Sequence, residues 1–204
     1  MEFKKIQLNG FKSFAEKTNF LIEDGLTGIV GPNGCGKSNI VESLRWVMGE
    51  TSAKSMRGSG MEDVIFSGTS NKASKNIAEV SIEVENKDKE GPIQYRELEQ
   101  IQVRRKIEKD KGSKFYINDK EVRARDAQMF FADLSTGAHS PSMISQGRIG
   151  ALVTAKPTDR RAILEEAAGI SGLHVRRHEA ELRLGAAENN LKRADELRLS
   201  LIHI

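Results

Sequence analysis

The chain has 204 residues, with 32 Lys and Arg against 29 Asp and Glu, and a formal charge of +3 neither demands nor excludes a nucleic-acid partner. A hydrophobic share of 38% is too high for a disordered chain and is enough for one or two domains with a core. The apolar runs are too short to span a membrane, the start Met1-Glu2-Phe3-Lys4-Lys5 lacks a signal-peptide stretch, and the only cysteine, Cys35, excludes a disulfide framework and a Cys-based zinc site. These features point to a soluble, non-exported protein of a reducing cytoplasm.

Residues 3 to 9 partly alternate apolar with polar, and residues 18 to 22 end in Phe20-Leu21-Ile22 before a Glu23-Asp24-Gly25 turn. Two short strands meeting as a hairpin are expected there. Leu26-Thr27-Gly28-Ile29-Val30 reads as a further short strand that stops at a glycine-rich loop, and from Ser38 the residues Ile40, Leu44, Val47 and Met48 recur at helical spacing. The pattern is therefore strand, loop, helix.

Ile77, Val80, Ile82 and Val84, with Glu79, Ser81, Glu83 and Glu85 between them, predict a strand with one exposed face. Extended pieces at about 99 to 107 and 114 to 123 bracket the polar stretch Glu108-Lys109-Asp110-Lys111-Gly112-Ser113, with Asn118-Asp119 as another turn signal. The middle third is expected to be antiparallel sheet. Helical patterning returns near 125 to 134, and Pro157-Thr158-Asp159 announces a helix that stops at Gly169. From 173 onward Leu173, Ala180, Leu184, Ala187, Leu191 and Ala194 keep a four-three spacing, with Arg177 and Arg198 in the remaining register positions. That is a coiled-coil seam asking for a partner helix, with an ordinary amphipathic helix as the alternative. Leu199-Ser200-Leu201-Ile202-His203-Ile204 breaks the register and resembles a translated library adapter, so residues 199–204 are expected to be a non-native scar.

Gly31-Pro32-Asn33-Gly34-Cys35-Gly36-Lys37-Ser38 matches G-x-x-x-x-G-K-[ST] in full, between the apolar run and the amphipathic helix. Its glycines let backbone N–H groups turn toward phosphate oxygens, and the helix directs its positive end at the same charge. Lys37 is expected to reach the β- and γ-phosphates, and the Ser38 hydroxyl to ligate Mg²⁺. Cys35 stands in this cradle without a second cysteine, which argues against a redox role. His174 and His178, four apart, lack a third ligand and read as surface histidines. A hydrolase also needs a carboxylate at the end of an apolar strand, and the nearest case, Ala162-Ile163-Leu164-Glu165-Glu166, lies inside a helical pattern.

Several segments together carry a family likeness: Asn9-Gly10-Phe11-Lys12-Ser13-Phe14, Gly28 through Asn39, Leu44-Arg45-Trp46-Val47-Met48-Gly49, Met56-Arg57-Gly58, Asp63-Val64-Ile65-Phe66, Ser145-Gln146-Gly147-Arg148-Ile149 and Arg160 through Ile170. In this order they resemble the N-terminal head of bacterial SMC (structural maintenance of chromosomes) proteins over residues 1 to 198. The resemblance implies an α/β fold, the N-terminal lobe of an ABC-type P-loop ATPase with mixed and antiparallel sheet around the P-loop helix. Residues 1–171 would be half of the head and 172–198 the start of a long antiparallel coiled coil. ATP and Mg²⁺ are the implied ligands, with Gly31 to Asn39 holding the nucleotide. Gln146 matches the glutamine that contacts Mg²⁺ and senses nucleotide, and Arg57 the arginine that reaches the phosphates.

By the same resemblance, Walker B, the catalytic glutamate and the signature motif lie in a C-terminal head half. The implied partners are that half, a second copy through hinge and heads, a kleisin-type subunit and double-stranded DNA, in a cytoplasmic, nucleoid-associated setting without a membrane. Residues 101 to 125 hold nine Lys and Arg (Arg104, Arg105, Lys106, Lys109, Lys111, Lys114, Lys120, Arg123, Arg125) and four acids, a surplus larger than that of the whole chain. A basic hairpin of this kind can supply sequence-independent phosphate contacts, although a charge cluster is more often only a solvated face. A small-molecule phosphotransferase with one P-loop domain is disfavoured by the hairpin that precedes the loop. An architectural DNA binder that holds ATP structurally is the third reading. Among ABC-type relatives, the double-strand-break repair head and other recombination ATPases are the nearest confusions with the SMC likeness, which the Phe11 to Phe14 and Arg160 to Ile170 segments favour.

Overall fold

The computed structural model describes residues 1–87, 89, 91–134, 143, 150, 153–168 and 171–202. Its strands are β1 (Glu2–Asn9), β2 (Thr18–Leu21), β3 (Ile77–Glu85), β4 (Gln100–Glu108), β5 (Gly112–Ile117) and β6 (Lys120–Val122). They form a six-stranded sheet in the order β2-β1-β3-β4-β5-β6, every pair antiparallel. Ile6 sits opposite Ile82 and Leu8 opposite Val80, which sets the apolar residues of β1 and β3 on one face. Val80, Ile82, Val103 and Ile107 are buried there, and each contributes about 1.5–3 kcal/mol by leaving water. The charged residues between them, Glu79, Glu83, Arg104 and Lys106 among them, take the outer face.

The turns follow the polar signals. Asp110, Asn118 and Asp119 adopt left-handed backbone with φ of 62°, 47° and 62°, which short polar side chains tolerate. They close β4 on β5 and β5 on β6 and make the middle third the expected antiparallel meander.

Helix α1 (Lys37–Val47) crosses the inner face and buries Ile40, Trp46 and Val47 against β3 and β4. Phe11 packs against Trp46 with tilted rings and centroids 5.4 Å apart, so the segment after β1 and the end of α1 share one core. Helix α2 (Ala124–Asp133) closes the other end through Phe130 and Phe131. Helices α3 (Pro157–Ala167) and α4 (Ser171–Ile202) follow, and α4 touches both α2 and α3. Leu184 and Leu191 of the seam are exposed on α4, whose backbone runs on past residue 198. Among the described residues no helix is long and apolar enough to cross a membrane.

One predicted element does not form. Residues 26–30 are not a strand: Leu26 is 100% and Val30 93% exposed, and the segment pairs with none of the six strands. The physical reason is the partner requirement of extended backbone, whose N–H and C=O groups need a neighbouring strand. Among the described residues the sheet is antiparallel throughout, and with the helices packed on it this fits the expected α/β lobe.

Candidate nucleotide-binding site

The loop 31–36 leads directly into α1. Gly34 and Gly36 have φ of 85° and 95°, backbone that glycine adopts without strain, and Gly36 is the N-cap of the helix. No side chain caps that end, and its first turn carries no acidic residue. The first N–H groups and the positive end of the helix dipole therefore face the loop without a competing anion.

Lys37 folds back over this cradle. Its Nζ donates to the Gly31 carbonyl and, at 2.7 Å, to the Pro32 carbonyl, with Cys35 Sγ at 4.0 Å. The ammonium is thereby held at the mouth of the loop, where a phosphate would meet it. Gly31, Pro32, Asn33, Gly34, Cys35 and Ser38 are all exposed along the same rim. A glycine loop at a helix start without a side-chain cap, a lysine and a helix-start hydroxyl fit a nucleotide phosphate with its Mg²⁺.

A second layer comes from distant sequence. Asn39 Nδ2 donates to Ser13 Oγ at 2.8 Å, and Asn39 Oδ1 accepts from Arg57 Nη2 at 3.2 Å. A Cβ placed on Gly36 would lie 2.6 Å from the same Ser13 Oγ, so this glycine is required for close approach as well as for its φ. Glu42, one turn beyond Ser38 on α1, is ion-paired to both Lys12 and Arg57. Lys12 also donates to the Met56 carbonyl.

Arg57 itself is a non-glycine residue in the left-handed region, with φ of 53°. Its loop is braced by Asp63, whose Oδ2 accepts from the Ser59 N–H at 2.6 Å, the Ser59 hydroxyl at 2.8 Å and the Gly60 N–H at 2.9 Å. The Gly60 N–H, the Ser59 hydroxyl and the Ser59 N–H hold the Asp63 carboxyl below its ordinary value.

The predicted loop residues and Arg57 therefore converge. Gln146 lies outside the described residues, as do the side chains of His174 and His178. Among the described residues no group of three or more His, Cys, Asp or Glu is placed to hold a metal. Lys12, Ser13, Glu42 and Asp63 were not assigned site roles from sequence. A signal for Glu42 was present in its spacing from Ser38 on one helix face.

The basic segment needs one correction. Arg105 is buried, 3% exposed, and points to the inner face, so it is not part of a basic surface. Arg104 pairs with Glu79 and Asp119, Lys111 with Glu108, and Lys114 with Glu121. Lys109, Lys120 and Arg123 remain exposed at the hairpin ends.

Residues 2–148 match the family described as the RecF/RecN/SMC N terminal domain. The chain is 56% identical over 197 residues to the chromosome partition protein Smc of Cereibacter sphaeroides and 54% identical over 197 residues to that of Rhodopseudomonas palustris. Each alignment covers 97% of this chain and 17% of the relative, so the chain spans about a sixth of the curated relatives it matches. Among solved structures it is similar to the Smc head domain with an extended coiled coil from Pyrococcus furiosus, bound to the C-terminal domain of ScpA. That likeness has 32% identity and a TM-score of 0.76, and covers 96% of this chain and 48% of the other. With its phosphate loop, its antiparallel sheet and these matches, the chain belongs to the RecF/RecN/SMC N-terminal domain family, as the N-terminal head segment of an SMC protein.

Proposed function

We propose that this chain is the nucleotide-holding half of an ATPase head that organises and segregates chromosomal DNA. The observation that carries the reading is the pairing of an uncapped α1 N-terminus with Lys37 at the mouth of the glycine loop. ATP would lie along Gly31 to Asn39, with Ser38 and Gln146 on Mg²⁺, which draws charge from the phosphate oxygens. Lys37 and Arg57 would orient and neutralise the terminal phosphate.

Residues 1–171 form the head half in this reading, 172–198 the start of the arm, and 199–204 a non-native end. Glu42 is already shared by two cations, so the carboxylate that polarises the attacking water is assigned to a C-terminal half. That half would also supply a strand beside residues 26–30. Two heads would enclose ATP between the loop of one and the signature motif of the other, and hydrolysis would separate them. A kleisin-type subunit and the opposite coiled-coil strand are the further partners, in the cytoplasm.

ATP turnover of the full-length protein tests this directly. Lys37→Ala is expected to lower turnover by at least about a hundredfold, and turnover retained in that variant would overturn the reading. DNA contact is assigned to Lys109, Lys120 and Arg123. Reversing these charges should flatten the salt dependence of DNA binding by roughly one unit of slope per lost phosphate contact. An unchanged slope would remove the hairpin from the DNA surface.

A further inference from the structure

Two cations share one buried carboxylate at the edge of the phosphate loop. The side chains of Glu42 and Lys12 are 10% and 14% exposed, whereas that of Arg57 is 59% exposed. Arg57 is bound to Glu42 through Nε, while its Nη2 reaches Asn39 on the first turn of α1. A guanidinium is a planar fork, and one held by its Nε edge keeps its Nη edge in a fixed direction.

Lys12 contributes a second effect. One carboxylate between two cations leaves the cluster with a net positive charge, so Glu42 can hold Arg57 without presenting a bare anion to a phosphate. The backbone is built for this meeting. Lys12 and Arg57 both stand in the left-handed region, with φ of 46° and 53°. The Lys12 N–H is tied to the Val64 carbonyl at 2.7 Å, and the Arg57 N–H to the Lys54 carbonyl at 3.0 Å. Strained residues held in place by surrounding bonds are a pattern of pre-organised sites.

We propose that Glu42 is a positioning residue: its carboxylate orients Arg57 from behind, so that the Nη edge of Arg57 meets the terminal phosphate of a nucleotide in one direction. Glu42 touches no reacting atom and acts through Arg57. The inference rests on the reading that Arg57 reaches the phosphates.

A double-mutant cycle in the full-length protein tests it, with ATP turnover measured for Glu42→Gln, Arg57→Ala and the pair. Glu42→Gln is expected to lower kcat about tenfold while changing KM for ATP less than about threefold, because orientation matters most as charge develops. In the Arg57→Ala background the same substitution is expected to change kcat less than about twofold. Equal losses in both backgrounds would overturn the proposal while leaving the role of Arg57 intact. If Arg57→Ala alone leaves turnover unchanged, the phosphate reading of Arg57 fails instead, and the proposal with it. Glu42→Asp, which keeps the charge and withdraws it by one methylene, runs the same cycle should Glu42→Gln not fold. Loss in that variant only when Arg57 is present supports the positioning role, and loss independent of Arg57 refutes it.

Discussion

The guanidinium of Arg105 lies 4.5 Å over the ring of Trp46 and donates from Nη1 to the Trp46 carbonyl at 2.7 Å. The same Nη1 reaches the Glu50 carbonyl at 2.7 Å, Nη2 reaches Ser113 Oγ at 3.1 Å, and Phe115 stacks on the group at 4.6 Å. A cation is thereby fixed at the C-terminal end of α1, where the helix dipole favours it. Burial pushes this guanidinium down to about 10, with Glu50 pulling it partly back up, so it stays charged at neutral pH. Arg105 anchors to β4 and β5 the far end of the helix whose near end carries the phosphate loop.

Arg105→Lys keeps the charge but loses the planar fork and the stacking on two rings. The head is expected to lose about 2 kcal/mol of stability. Urea unfolding should show a lower midpoint with an unchanged slope. A midpoint equal to that of the parent would mean that neither the fork nor the ring contacts add to stability.

Gly36→Ala adds a methyl 2.6 Å from Ser13 Oγ at a position with φ of 95°. The left-handed strain of about 1–2 kcal/mol adds to the displacement of Ser13 from Asn39. Nucleotide affinity, read by titration with a fluorescent ATP analogue, should fall more than about tenfold. Affinity within twofold of the parent would show that the loop tolerates a side chain there.

Asp63 sets a pH dependence for the Arg57 loop. Its folded value is depressed below the ordinary 3.8, so the stability it lends is present above that value and lost as pH falls through the depressed one. Neutral pH leaves the loop unaffected. An NMR titration of the Asp63 carboxyl should give a midpoint below 3.8, with Ser59 and Gly60 amides shifting in step. A midpoint at or above that value would contradict the three hydrogen bonds.

Val30 is 93% exposed in this chain, and in the proposed head a strand of the C-terminal half would cover it. Val30→Asp should leave the stability of the chain itself within about 0.5 kcal/mol, since the side chain contacts little. It should reduce aggregation of the isolated chain and lower ATP turnover of the full-length protein. Normal turnover in the full-length variant would show that the segment is a surface loop there too.

Much of the fold was legible because strands and helices have short periods. The alternation of Val80, Ile82 and Val84 and of Ile101, Val103 and Ile107 needed no tertiary information to assign an inner face. That same alternation places Arg105 inward between Val103 and Ile107, although charge counting had assigned it to a basic surface. The glycine loop was legible for a different reason: its chemistry lies within eight consecutive residues, Gly31 to Ser38.

The amino-acid sequence by itself determined most of the strands and helices, the glycine-lysine loop motif and the family. Only the tertiary structure decided that residues 26–30 stand unpaired, because an apolar run reads the same whether or not a neighbouring strand exists to complete its hydrogen bonds. It also decided the partners of the buried charges. Lys12 meets Glu42 across 30 positions and Arg105 meets Trp46 across 59, separations over which no local period carries information. A charge in a low-dielectric interior needs a partner, and chain topology selects which one it finds.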